Sequence, residues 1–124
     1  MAPGGFYANL KAKLYLVSRL GGTPVRLDRA SGKGDVMDSW PKWAPSTTSS
    51  KIWWLAFSSV RDYGRVVENS KYPGLKSGKH PQLWVSAIDV ARIGKGDPSY
   101  PAFWLPGQNT VSGNHLPFWT KTLK

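Results

Sequence analysis

The chain has 124 residues, 40% of them hydrophobic, which suffices for one domain that buries roughly two-thirds of its unfolded surface. Seven Trp exclude a disordered polymer, 13 Gly and 10 Pro exclude a helical bundle, and the absence of Cys excludes disulfides and thiolate metal sites. The net charge of +10 requires polyanion partners to be weighed, while no run reaches the length of a membrane-spanning helix.

The opening Met1-Ala2-Pro3-Gly4-Gly5 has neither the basic nor the apolar stretch of a signal peptide, so the sequence as written is expected not to direct its own export. Leu14, Leu16 and Ser18 alternate with Tyr15, Val17 and Arg19. Gly21-Gly22 then turns the chain into Thr23-Pro24-Val25-Arg26-Leu27-Asp28, a hairpin in which glycines supply positive φ. Ser39-Trp40-Pro41-Lys42-Trp43-Ala44-Pro45 carries two prolines, which predicts a short strand at an edge or ending at a bulge. The polar residues 46–50 form the next turn. Lys51-Ile52-Trp53-Trp54-Leu55-Ala56-Phe57-Ser58-Ser59 is apolar on both parities, which predicts a central strand covered on both faces.

Residues 65–81 show no period and read as a long loop inserted between two strands. Gln82-Leu83-Trp84-Val85-Ser86-Ala87-Ile88-Asp89 resumes the sheet. Asp89 is expected to cap one helical turn that Gly94 stops. Tyr100 to Leu105 is a further aromatic-proline strand, Leu116-Pro117-Phe118-Trp119 a weaker echo of it, and 120–124 a tail.

The chain also repeats itself. Leu14-Tyr15-Leu16-Val17-Ser18, Gly32-Lys33-Gly34-Asp35 and Ser39-Trp40-Pro41-Lys42-Trp43 recur in order as Leu83-Trp84-Val85-Ser86, Gly94-Lys95-Gly96-Asp97 and Ser99-Tyr100-Pro101-Ala102-Phe103-Trp104. One supersecondary unit used more than once is the mark of solenoids and propellers.

Catalytic constellations are not evident. His80 and His115 lack acidic partners at metal or triad spacing, the two Gly-Lys-Gly-Asp runs lack the form of a phosphate loop, and the seven acids are dispersed. The expectation is no enzyme, no metal and no cofactor. Lys and Arg are scattered, with no cluster denser than Lys71, Lys76 and Lys79, which predicts weak, salt-sensitive nucleic-acid binding in place of a dedicated groove. Arg61-Asp62-Tyr63 is the polar cluster that stands out; turn geometry is its plainer explanation and ligand binding the other. Trp40, Trp43 and Trp104 join it as candidate binding residues. Trp40, Trp43, Trp54, Trp84 and Trp104 are read first as packing between sheet layers.

Ser39-Trp40-Pro41-Lys42-Trp43-Ala44-Pro45, Lys51-Ile52 leading to Leu55-Ala56-Phe57-Ser58-Ser59, Arg61-Asp62-Tyr63-Gly64 and Gln82-Leu83-Trp84-Val85 together resemble a blade of the TolB-like β-propeller repeat. Leu14-Tyr15-Leu16-Val17 with Gly21-Gly22-Thr23-Pro24-Val25-Arg26-Leu27 is similar to the last two strands of a preceding blade. Asp97-Pro98-Ser99-Tyr100-Pro101-Ala102-Phe103-Trp104-Leu105-Pro106 and Asn114-His115-Leu116-Pro117-Phe118-Trp119-Thr120 resemble the closing segments of a variant set found in some deltaproteobacteria.

The resemblance implies an all-β fold of antiparallel propeller-type blades, here a single domain over 1–124 with the loop 65–81 inserted. It implies a partial propeller, completed by self-association or belonging to a longer chain, with rearrangement of the strands into a small self-contained sheet as the remaining possibility. Its function would be protein recognition in the periplasm or cell envelope, with no membrane insertion. A carbohydrate-binding module using exposed aromatics is the first alternative, and a basic nucleic-acid binder the second.

Overall fold

The computed structural model describes residues 9–61, 80–109, 113–114 and 116–120. In chain order these form β1 (Tyr15–Leu16), β2 (Val25–Arg26), α1 (Asp28–Ser31), β3 (Ser39–Trp43), β4 (Ile52–Ser59), β5 (Gln82–Asp89), a 3-10 turn (Val90–Arg92) and β6 (Phe103–Trp104). β1 and β2 make a small antiparallel pair, and β3-β4-β5-β6 make a four-stranded antiparallel sheet in chain order. The all-β architecture is therefore shown, with helix confined among the described residues to two short turns.

The local rules account for most of these boundaries. β4 occupies an interior position, as its two-sided apolarity requires, and Leu55, Ala56, Phe57, Ser58 and Ser59 are all buried. β3 lies at an edge, with an irregularity in register between Ser39 and Lys42 where Trp40 adopts a positive φ of 53°. Pro41 interrupts that edge, and Pro101 and Pro106 flank β6 at the other, so neither edge offers an unbroken row of N–H donors. Gly21 and Gly22 turn β1 into β2 with φ of 95° and 112°. Asp89 caps the 3-10 turn by accepting the Ala91 N–H at 3.0 Å.

Register divides the sheet into two sides, because residues directly opposite one another on neighbouring strands share a side. Leu55, Phe57, Trp84 and Ile88 lie on the inner side, where Leu14, Leu27 and Ala30 close the core and Leu16, Trp53, Ala102 and Trp104 pack around it. β1 and α1 are thus the lid of the inner side. The outer side carries Trp54, Ala56, Ser58, Leu83, Val85, Ala87 and Phe103.

Several expectations are corrected. The second hairpin strand ends at Arg26, and Asp28–Ser31 turns into α1 in place of extended chain. Its N-terminus has no side-chain cap of its own. The cap comes from far along the sequence: Asp97 Oδ2 accepts the Arg29 N–H at 2.9 Å, and Ser99 Oγ accepts the Ala30 N–H at 3.1 Å. The two Gly-Lys-Gly-Asp runs are turns with positive φ at Gly32, Gly34, Gly94 and Gly96, but the aromatic strands that follow them differ in use. β3 pairs with the strand after it, and β6 with the strand before it.

Trp43 and Trp54 are 45% and 42% exposed rather than enclosed between layers. Leu116 to Trp119 is not a strand. Of the expected loop 65–81, only His80 and Pro81, both buried, fall among the described residues.

Candidate functional site

Arg61 follows β4 and turns back under the inner side. Its Nε donates to Ser59 Oγ at 2.9 Å, Nη1 to the Ala30 carbonyl at 2.7 Å, and Nη2 to the Ser31 carbonyl at 2.9 Å and Asp38 Oδ1 at 2.7 Å. The guanidinium carbon stands 5.1 Å from the Phe57 ring centre and 5.0 Å from that of Trp84. One side chain therefore ties the end of β4, the carbonyl end of α1 and the segment before β3. The Asp38 side chain is fully buried, with no hydrogen-bond partner for Oδ2 among the described residues. Burial pushes its carboxyl above the ordinary carboxylate range, against the pull of Arg61 and of the Ser59 and Ser31 hydroxyls. Asp62 and Tyr63 lie outside the described residues, so the sequence cluster is seen through Arg61 alone.

The aromatic candidates separate. Trp40 stands half-buried at the bulge of β3, and Trp104 pairs with Trp84 in register beside the core, its Nε1 donating to Gln82 Oε1 at 3.5 Å. Trp43 meets Trp53 edge to face, with ring centres 5.7 Å apart. The two line a groove of about 580 Å³ with Leu16, Val17, Val25 and Ile93 as further apolar walls and Ser18, Arg19 and Thr23 as polar ones. That volume lies within the usual span of small-ligand sites.

A second aromatic grouping, on the outer side, was not singled out from sequence. Trp54 and Phe103 meet edge to face with ring centres 6.4 Å apart, and Phe103 is 48% exposed. Tyr100 and Leu105, 41% and 38% exposed, extend the row. Residues 113–114 and 116–120 are tied to this sheet: the Ser58 hydroxyl donates to the Asn114 carbonyl at 3.0 Å, and Trp119 Nε1 donates to the Lys42 carbonyl at 2.9 Å. They add Leu116 and Phe118 to the exposed apolar surface. The signal for this site was the Trp53-Trp54 doublet, which must place one ring on each side of a strand.

Among the described residues no three His, Asp or Glu side chains cluster as metal ligands, and no helix is long and apolar enough to cross a membrane. Comparison with family models, with curated proteins and with solved structures returned no match.

Proposed function

We propose that the chain is a non-enzymatic protein-recognition module of the propeller type, one four-stranded blade with parts of its neighbours, and that it assembles with its own kind. The observation that carries this reading is the outer aromatic row of Trp54, Phe103, Tyr100 and Leu105 on a sheet whose two edges are interrupted or flanked by proline. Proline-bearing edges discourage strand addition, which leaves side-to-side stacking as the route to burial. An in-order, four-stranded antiparallel sheet is also the topology of a propeller blade, in keeping with the TolB-like resemblance of the sequence.

Sedimentation at rising protein and salt concentration tests the reading. Association is expected, and it tightens with salt because copies of charge +10 repel within a Debye length of about 10 Å at 0.1 M. A folded monomer at high protein and high salt overturns it.

The Trp43–Trp53 groove favours a second reading, carbohydrate binding, since an exposed ring beside hydroxyl and guanidinium groups suits a sugar face. Glycan-array binding that disappears in Trp43→Ala while the fold persists would establish it.

A further inference from the structure

β1 is paired along one edge. The Leu27 N–H donates to the Leu14 carbonyl at 2.9 Å, and Leu16 stands opposite Val25. By the alternation of an antiparallel ladder, Leu14 and Leu16 turn their main-chain groups to β2, while Tyr15 and Val17 turn theirs to the other edge. There, among the described residues, the N–H and C=O groups of Tyr15 and Val17 meet no partner. No proline interrupts this edge, in contrast to the edges of the four-stranded sheet.

β3 faces it across a gap. The two segments start together, with the Met37 N–H donating to the Leu10 carbonyl at 3.0 Å and the Asp38 N–H to the Ala12 carbonyl at 3.2 Å, and then part. Residues 13–17 form one wall of a cleft of about 340 Å³, and Ser39, Pro41 and Trp43 the other. Five consecutive residues of both parities can line one cleft only if the strand presents its edge to it. On the opposite wall the Ala44 N–H donates to the Trp54 carbonyl at 2.8 Å and Lys42 stands opposite Ala56, so the main-chain groups of Trp43 also point away from β4. Leu16, Val17 and Trp43 belong both to this cleft and to the groove of about 580 Å³ beside Trp53, so the one continues into the other.

An open strand edge offers alternating donors and acceptors at a spacing that extended peptide matches and a sugar does not. At 3.3 Å per residue, the 13–17 wall accommodates roughly four residues. Charge narrows the choice. The charged side chains lining the two compartments are Lys13, Arg19 and Asp38, and Asp38 is fully buried against Arg61. The Lys13 ammonium donates to the Gly32 and Gly34 carbonyls, neutral groups that leave its charge unbalanced, and Arg19 is exposed. A net charge of +10 works against a second copy of this chain as the occupant and in favour of an acidic one.

We propose that an extended acidic peptide of a partner protein docks in this cleft as an added strand on β1. Apolar side chains at alternate positions enter beside Leu16 and Trp53, and flanking carboxylates meet Arg19 and Lys13. This rests on the reading of the chain as a protein-recognition module and names a site and a partner class for it, separate from its self-association.

Calorimetric titration with a blocked heptapeptide of alternating valine and threonine, with glutamate at both ends, tests the proposal. The wild type is expected to bind it at millimolar concentration or below, and at least about tenfold more tightly than the same peptide ended with lysine. Arg19→Glu, at an exposed position, should lose about fivefold. Val17→Pro removes an N–H that bonds nothing within the chain, and should lose about tenfold while thermal melts report an intact fold. Should Val17→Pro fail to fold, the wild type is titrated instead with the peptide N-methylated on its valines or on its threonines; affinity unchanged by either methylation overturns the proposal. So does equal affinity for the glutamate-ended and lysine-ended peptides, unimpaired binding by a folded Val17→Pro, or no binding at millimolar peptide. Sedimentation of the same samples separates the two readings. A chain that self-associates and ignores the peptide overturns the cleft assignment alone, whereas a strict monomer that binds the peptide upholds it and removes self-association.

Discussion

The two sides of the four-stranded sheet are built from the same residue types and finished differently. On the inner side, Phe57, Trp84 and Ile88 are closed by β1, α1 and the guanidinium of Arg61; on the outer side, Trp54 and Phe103 meet each other and then solvent. Aromatic content alone does not make a core. What closes the inner side is polar: the Arg61 donors hold the carbonyl end of α1, and Asp97 and Ser99 hold its N–H end, so a four-residue helix is fixed as a lid from both ends.

Removal of the polar fastening has the largest expected effect. Arg61→Met should destabilise the fold by about 3–5 kcal/mol, because it leaves Asp38 buried without its ion-pair partner and frees the Ala30 and Ser31 carbonyls. Chemical denaturation would measure it. A loss below about 1 kcal/mol, the worth of an exposed ion pair, would mean that Arg61 does not hold the lid.

Next in size is a matched pair of truncations, one on each side. Phe57→Ala, at a fully buried position, should cost about 3–5 kcal/mol, and Phe103→Ala, about half exposed, less than about 1.5 kcal/mol. Equal losses in the two melts would show that the outer side is covered in solution as fully as the inner one.

A smaller effect distinguishes the two acids of the fastening. Burial works to raise the Asp97 carboxyl, but the Ser99 hydroxyl and the Arg29 and Ser99 N–H groups outweigh it and leave the group below its ordinary value. Its contribution to stability is then present above the unfolded pKa of about 3.9 and is lost as pH falls through the folded value. Asp38 is shifted the other way by burial, so its contribution is present below about pH 4 and lost as pH rises through the folded value. Stability measured from pH 3 to 7 should respond accordingly. Asp97→Asn costs about 1 kcal/mol at neutral pH, the worth of a helix cap, and removes the acid-side loss. Asp38→Asn gains on the wild type as pH rises. Parallel changes in the two variants would contradict the assigned directions.

Legibility in the sequence followed the distance over which each feature is determined. β4, the Gly21-Gly22 hairpin, the bulge in β3 and the Asp89 cap rest on neighbours within a few residues, and each was readable from them. α1 was not: Leu27 cannot cap it, and its caps arrive from Asp97 and Ser99, 68 and 69 positions away from the groups they bind. Arg61 stands out in the sequence as part of a polar cluster, yet apart from Ser59 its hydrogen-bond partners lie at 30, 31 and 38. The outer row was hidden for a different reason, since alternation tells which residues share a side and is silent about whether that side is covered.

Trp43 gives the smallest and most discriminating test of that last point. Read as a core tryptophan it should cost about 3–5 kcal/mol on truncation. In the structure nearly half of it is open, and its ring meets Trp53 edge to face, an arrangement worth about 0.5–1.5 kcal/mol beyond area burial. Trp43→Ala should therefore lower the melting temperature only slightly, while Trp84→Ala, 7% exposed and in contact with the Arg61 guanidinium, pays the full core cost. A Trp43→Ala melt as low as that of Trp84→Ala would place Trp43 in a closed interface, between layers of this chain or between copies. A small shift that rises to the full cost only at high protein concentration would assign the closure to association, because only then does a second molecule cover the ring.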